Sequence, residues 1–299
     1  MIVEKFFSEN LENISIGIAN FNPKTKNLEG NKNSIIKALN LFSEKKVNLV
    51  IFPEYCLSGY FWKNEKECRF YMEKACLDHL TDWLDEIVRL YINKTLQYIV
   101  FNGLIKNRED SNKYFNISFV LDQTGNYFDQ DRTYKKTYLP RFEKDYISSG
   151  INDTLVLKTA WGKFGFLTCW DIYFPRLVQK LVNIKKVDAL IVNAAWRKQG
   201  EREYKGLNIK EESYYKFLWN LISPALAFQN QVWVFAANAV GPHSLEGVDF
   251  CGGSGIWSPS GINMLKGSDI KEELLILHNI DMIHEVEVER NDDELKGII

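Results

Sequence analysis

Two stretches of the sequence run from apolar residues straight into a reactive one: "VNLVIFPE" closes on Glu54 and "GFLTC" closes on Cys169. A third, "DALIVN", closes on Asn193. Side chains just past the carboxyl end of a buried strand leave the packed core yet stay rigidly anchored, and ligands gather there in open α/β sheets. Taken alone, Cys169 reads as a small core residue, since free cysteine is among the most buried residue types. As a nucleophile it needs a base, because a free thiol has a pKa of about 8.5 and is mostly protonated at neutral pH. The histidines, His79, His243, His278 and His284, do not stand at strand ends. A carboxylate is then the better base, and Glu54 is the best placed. Its structural reading is a salt-bridged or solvated residue in the turn after Pro53.

The segment "DRTYKKTYLPRFEKDYISSG" (131–150) interleaves basic and aromatic residues. Nucleic-acid binding is one reading of that pattern. Asp131, Glu143, Asp145 and a net charge of −2 argue against it. A lysine from this segment set beside a substrate carbonyl would stabilise an oxyanion and hold neighbouring carboxylates ionised.

Short apolar segments rich in β-branched and aromatic residues predict the strands that carry these positions. They fall at 13–21, 47–55, 97–105, 115–122, 154–159, 163–170, 187–196, 232–240, 252–258 and 273–280. Many lack strict alternation, which predicts burial on both faces. Helical periodicity lies between them: Ile35, Ile36, Leu39 and Phe42 share a face, and Leu77, Leu80, Leu84, Ile87 and Tyr91 step by three and four along a longer helix. Another helix is predicted from about Tyr173, and one over 211–230 with an interruption at Pro224. Strands interleaved with helices make this an α/β chain with mixed sheets. No low-complexity linker divides it, so 1–299 reads as one domain, with a polar tail from about 286 that is mobile or reaches a partner subunit.

Composition narrows the class. Of 299 residues, 45 % are hydrophobic, enough for a large core. The near-neutral charge gives no reason to expect a nucleic acid or an acidic membrane as partner. Five cysteines, with no CxxC pair, fit free thiols in a reducing compartment. No apolar run approaches the roughly 20 residues of a membrane span, and the first residues lack a signal-peptide pattern. A soluble cytoplasmic protein is the expectation. There is no GxGxxG, no Walker A and no Cys/His cluster at ligand spacing, so no metal or organic cofactor is expected. Gly252, Gly253 and Gly255 lack the helix-opening context of a phosphate loop.

Together these segments resemble the nitrilase superfamily of carbon–nitrogen hydrolases, whose signature is a Glu-Lys-Cys triad. "VIFPEYCLSGY" is similar to the family's Pro-Glu segment, with Glu54 as base and Tyr60 at the Gly-Tyr position. "YKKTYLP" resembles the lysine element and makes Lys136, rather than Lys135, the catalytic lysine. "FEKDYISSG" resembles the segment carrying a second glutamate, here Glu143, and "GFLTCWDIYFP" the nucleophile segment, with Gly165, Cys169, Asp171 and Pro175 in register. "FQNQVWVFAANAVG" and "GGSGIWSPSG" also resemble family segments, so the likeness spans roughly 13–285. It implies a four-layer α-β-β-α sandwich assembled into homodimers or larger oligomers. Two positions depart from the pattern: Tyr138 stands where a histidine is usual, and Arg176 where a glutamate is common after Pro175.

The resemblance implies that Cys169 attacks a small amide or N-carbamoyl compound, with Glu54 as general base and acid. Lys136 and the Trp170 N–H would meet the oxyanion, and Glu143 would fix the geometry. Ammonia or an amine leaves from a thioester, which water then hydrolyses. "Cys-Trp-Asp" looks more like amidases and N-carbamoyl amine hydrolases than like nitrilases proper. Tyr60, Trp170 and Trp196 are candidates for the pocket wall, with core or interface packing as the competing role. Arg197 reads first as a surface arginine, and contact with a substrate carboxylate is the alternative. The rival functions are a nitrilase acting on a C≡N bond with the same triad, a catalytically silent binding protein, and acyl transfer to an amine.

Overall fold

Successive residues of the inner strands enter two different apolar cores, which is why the sequence lacks hydrophobic–polar alternation. Leu49 and Ile51 belong to one buried cluster, and Val50 and Phe52 to the other. Ile14, Ile16 and Ile18 join the first cluster, Ala19 the second. A strand with both faces covered must be apolar on both. The computed structural model describes residues 1–60, 65–125, 127–129, 131–150, 154–243 and 248–291.

Two sheets stack face to face. The first has the order Ile2–Phe6, Glu273–Ile280, Ile14–Asn20, Leu49–Ile51, Tyr98–Lys106, Tyr114–Leu121, Thr133–Lys135. The second has the order Asn263–Lys266, Gly255–Trp257, Trp233–Asn238, Ala189–Ala194, Gly162–Thr168, Val156–Thr159. Each has three parallel strands at its centre, 14–20, 49–51 and 98–106 in one and 162–168, 189–194 and 233–238 in the other, with an antiparallel neighbour on either side. At the outer edge of the first, Ile2–Phe6 pairs parallel with Glu273–Ile280. The core between them joins Ile16, Leu49 and Val100 to Phe164, Phe166 and Ile191.

Helices cover the outer faces. Leu28–Glu44, started by the Asn27 side chain accepting from the Gly30 N–H, buries Ile35, Leu39 and Phe42. With Leu84 and Ile87 of Thr81–Tyr91 they pack on Val50, Ile99 and Phe101. On the other side, Tyr214–Asn230 contributes Leu218, Trp219, Leu226 and Ala227, and Met282–Arg290 contributes Met282 and Val286, to the cluster of the second sheet. Four layers result, helix–sheet–sheet–helix, the expected α-β-β-α sandwich. Among the described residues no helix is long and apolar enough to cross a membrane.

Several element boundaries differ from the sequence expectation. The long helix from Leu77 is a 3₁₀ turn, Leu77–His79, and then a separate helix from Thr81. Leu80, with φ of −118°, breaks the two, although the apolar spacing runs on through it. The helix expected near Tyr173 starts at Pro175, because Cys169–Tyr173 form a 3₁₀ turn. Tyr214–Asn230 passes through Pro224 without interruption. Edge strands Ile2–Phe6 and Asn263–Lys266 and the hairpin of Arg202–Tyr204 with Ile209–Glu211 were not legible, being half-exposed or exposed and weakly patterned. Of the polar tail, the stretch to Arg290 is helical and anchored by Val286, and 292–299 lie outside the described residues.

Candidate active site

The parallel strands at the centre of both sheets end toward one region, and the reactive side chains come directly after those ends. Strand Leu49–Ile51 leads to Glu54, Gly162–Thr168 to Cys169, and Ala189–Ala194 to Ala195 and Trp196. Thr133–Lys135, an edge strand of the first sheet, delivers Lys136. Glu143 lies in the next 3₁₀ turn, Arg141–Asp145.

Glu54 is wholly buried and fully hydrogen-bonded. Its Oε1 accepts from Lys136 Nζ at 2.8 Å and from Asn116 Nδ2 at 2.8 Å, and its Oε2 accepts from the Ala195 N–H at 2.9 Å. Lys136 Nζ also donates to both oxygens of Glu143, at 3.0 and 2.9 Å. Glu143 accepts in addition from the Tyr60 hydroxyl. The neighbouring Lys135 instead places its ammonium 4.5 Å from the centre of the Phe115 ring. Burial alone would pull the Lys136 ammonium toward neutrality; Glu143 and Glu54 outweigh it and hold its pKa above the ordinary lysine value.

Two carboxylates against one ammonium leave this dry cluster one negative charge in excess. Burial pushes Glu143 up to about 7, with Glu54 acting in the same direction against Lys136. Cys169 shares the environment. Burial, then the Glu54 carboxylate, raise its thiol well above the usual cysteine value, and the opposing pull of Lys136 does not restore it. The resting sulfur is therefore a thiol, and a reaction through it requires a base.

Cys169 is held at φ of +50°, a left-handed conformation that non-glycine residues adopt at a cost. The turn after it is fixed by Asp171, whose carboxylate accepts from the Thr168 N–H at 2.9 Å, the Tyr138 N–H at 2.8 Å and the Tyr134 hydroxyl at 2.7 Å. The Thr168 hydroxyl in turn receives the Asp171 N–H. Trp170 stands in the first turn, where no carbonyl of the turn reaches its N–H. Burial pushes Asp171 up to about 6 against those donors. Tyr138 stacks on Phe174 at 3.7 Å and lends its N–H to Asp171, and Arg176 is exposed.

A polar lattice missed by sequence reasoning locks the floor. Asn102 Nδ2 donates to Asn116 Oδ1 at 2.8 Å and to Ser118 Oγ at 3.2 Å, and Ser118 donates to Asn193 Oδ1 at 2.7 Å. Asn193 Nδ2 donates to the Phe52 carbonyl at 2.6 Å, and Asn102 Oδ1 accepts the Tyr55 N–H at 2.9 Å. The available signal was asparagine in the middle of apolar strands, in "VFNGL" and "YFNIS". Such groups persist in a core only when satisfied.

A cavity of about 1610 Å³ opens over Cys169. Tyr60, Trp170 and Trp196 all line it, as do Tyr138, Phe174 and Tyr215. Trp170 stacks between Tyr173 at 5.2 Å and Trp196 at 5.4 Å. Among the described residues no group of three or more His, Cys, Asp or Glu is placed to hold a metal ion.

Residues 15–287 match the carbon-nitrogen hydrolase family. The chain belongs to that family. Its chemistry is accordingly that of a nitrilase-superfamily hydrolase. Among curated relatives it is similar to a probable nitrilase of Schizosaccharomyces pombe, at 26 % identity over 80 % of this chain and 78 % of that one. It is similar also to an N-carbamoylputrescine amidase of Solanum tuberosum, at 24 % over 80 % of this chain and 77 % of that protein. Among solved structures, a CN-hydrolase superfamily protein from Xanthomonas campestris superposes with a TM-score of 0.75 at 17 % identity, covering 95 % of this chain and 96 % of that one. An amidase from Nesterenkonia sp. gives 0.71 at 17 % identity over 97 % of each chain. At such identities the structural likeness is one of fold, and it is the same four-layer sandwich.

Proposed function

We propose that this hydrolase cleaves the C–N bond of a small amide or N-carbamoyl compound through a thioester on Cys169. The observation that carries the reading is Glu54. Its carboxylate is pinned by Lys136, Asn116 and the Ala195 N–H, in the electrostatic neighbourhood of a thiol that burial keeps protonated. Glu54 takes the thiol proton as sulfur attacks the carbonyl carbon. The carbonyl π electrons pass to oxygen, where the Lys136 ammonium and the Trp170 N–H meet the charge. Collapse expels the amine, which leaves with the proton that Glu54 returns. Water, deprotonated by the same carboxylate, then opens the thioester and regenerates the thiol. Glu143 also holds Lys136, accepting from its ammonium through both carboxylate oxygens, and Tyr60, Trp170 and Trp196 wall the substrate.

Amide and carbamoyl substrates are favoured over nitriles by the names of several relatives, N-carbamoylputrescine amidases and a deaminated glutathione amidase, although one relative is a probable nitrilase. Ammonia release from a panel of amides, ureido compounds and nitriles separates the two. Cys169→Ala abolishes turnover, and intact mass of the wild type with its substrate shows an acyl adduct on Cys169. Full activity in the alanine variant removes the scheme.

The outer face of Tyr214–Asn230 leaves Phe217, Leu221 and Phe228 about half exposed. That supports a homodimer, checked by light scattering. The described cysteines, Cys56, Cys76, Cys169 and Cys251, are all free, in keeping with a reducing, cytoplasmic setting.

A further inference from the structure

Among the described residues, the charged side chains on the lining of the cavity are Lys113, Arg141, Lys144 and Arg197, with no aspartate or glutamate beside them. In a chain with 39 acidic and 37 basic residues, composition does not account for a wall of one sign. Nor are these charges spent locally. Among the described residues none of the four forms an ion pair with a carboxylate. Lys113 Nζ donates to the Lys144 carbonyl at 3.2 Å. The Arg197 guanidinium lies 4.5 Å from the centre of the Tyr215 ring. Uncompensated cations on one low-dielectric cleft add their fields and concentrate anions at its mouth.

Arg197 is the best fixed of them. Its side chain is exposed and laid across Tyr215, which itself lines the cavity. Its backbone bridges to Phe250, and it stands two residues after Ala195, whose N–H holds Glu54. The guanidinium is thus set at the rim of the aromatic wall formed by Trp170, Trp196 and Tyr215. The floor has the opposite character, with two buried carboxylates to one ammonium. An elongated substrate with one anionic end is oriented by this field: its charge stays at the mouth and its neutral amide goes down to the sulfur. The cavity volume leaves room for such a tail.

We infer that the substrate carries a carboxylate remote from the scissile C–N bond and that Arg197 binds it, bidentately as guanidinium groups do. The inference rests on the amide-hydrolase reading of Cys169. The chemistry it names is opposite in charge to N-carbamoylputrescine, whose far end is an amine.

The test uses matched chains differing only in the distal group: glutaric acid monoamide, pentanamide and the amide of aminopentanoic acid, with N-carbamoyl aminobutyrate, butylurea and N-carbamoylputrescine as the ureido series. Ammonia release gives kcat/KM at low ionic strength and again near 0.3 M salt, where screening shortens the Debye length to roughly half its low-salt reach or less. The carboxylate member is expected to exceed the neutral one by about tenfold or more, the cation to be poorest, and the gap to narrow with salt. Arg197→Gln lowers the acid-to-neutral ratio by about tenfold, chiefly through KM, and Arg197→Lys restores part of it. A neutral or cationic member that equals the acid, or a ratio untouched by Arg197→Gln, overturns this inference alone. No turnover of any member, with no adduct on Cys169, overturns the hydrolase reading and this one with it.

Discussion

Lys136 Nζ sits 2.8 Å from Glu54 Oε1, and neither side chain has any exposed surface. With Glu143 2.9 Å from the same nitrogen, the ammonium is the cationic member of a buried cluster that would otherwise consist of two carboxylates and a thiol. Such a cluster is poor evidence for stability in itself, because desolvation offsets much of the attraction. It is strong evidence for sensitivity to the loss of one member.

Lys136→Met removes the cation of that cluster and leaves Glu54 and Glu143 facing each other. Breaking a buried pair in this way costs about 3–5 kcal/mol. Urea unfolding at pH 8 is expected to show a loss of that order, and a smaller one at pH 5, where Glu143, pushed up to about 7, relieves the repulsion by taking up a proton. Turnover falls by at least about 10²–10³, the usual cost of one oxyanion donor. A variant with wild-type stability at both pH values contradicts the charge assignment.

The second expectation concerns pH. Glu143, pushed up to about 7 in the fold, has an ordinary glutamate value when unfolded. Between those values the native state binds the proton and the unfolded state does not, so stability falls as pH rises through this window. Glu143→Gln keeps the size of the side chain and cannot titrate. The wild type should therefore lose stability relative to the glutamine variant between about pH 4.5 and 7, by on the order of 3 kcal/mol at most. Chemical denaturation of both proteins at several pH values measures the difference. A difference that grows in favour of the wild type over that interval would falsify the assignment.

Some of this site was legible because strand ends are legible. Glu54 and Cys169 come after apolar runs, and a buried strand must deliver the residues next in the chain to the edge of the core. The choice between Lys135 and Lys136 was not available from residue type, since the two are adjacent and identical. It is decided by the strand Thr133–Lys135, which turns one side chain onto Phe115 and the next into the cluster. The resemblance to a family supplied that choice. The asparagine lattice was hidden for another reason. Asn102 and Asn116 break the apolar pattern of their strands, and only the cross-strand register Asn102–Ser118 and Leu104–Asn116 shows that they satisfy one another. The helix break at Leu80 was hidden by its own periodicity, because 3₁₀ and α turns bury a residue at nearly the same spacing. The cationic lining seen among the described residues comes from segments far apart in the chain, such as Lys113 and Arg197, and no local pattern announces it.

A third expectation is that Cys169 rests as a thiol. Burial and the Glu54 carboxylate act together to keep its proton on, so ultraviolet difference absorbance of wild type against Cys169→Ala should show no thiolate at neutral pH. Alkylation by iodoacetamide then depends on Glu54 as base, and Glu54→Gln should slow it by about tenfold or more. A thiolate band that titrates below the ordinary cysteine value would mean that Lys136 dominates the sulfur, and the general-base role of Glu54 would have to be abandoned.

The last expectation tests whether Lys136 is held from behind. The Gly150 N–H donates to the Lys136 carbonyl at 2.9 Å. A Cβ on Gly150 would lie 2.3 Å from the Lys135 carbonyl oxygen, a backbone atom that no rotamer change can move. Gly150→Ala must therefore push back the chain that carries Lys136, at a cost of about 1–3 kcal/mol. A displaced ammonium meets the oxyanion badly, so kcat is expected to drop by about tenfold or more while KM changes less, since a misplaced group costs rate out of proportion to its shift. Gly206→Ala is the control, because a Cβ there meets nothing within 4 Å. Thermal melts and steady-state kinetics on the two variants side by side decide it: if Gly150→Ala melts and turns over like Gly206→Ala, the glycine is not what seats the lysine.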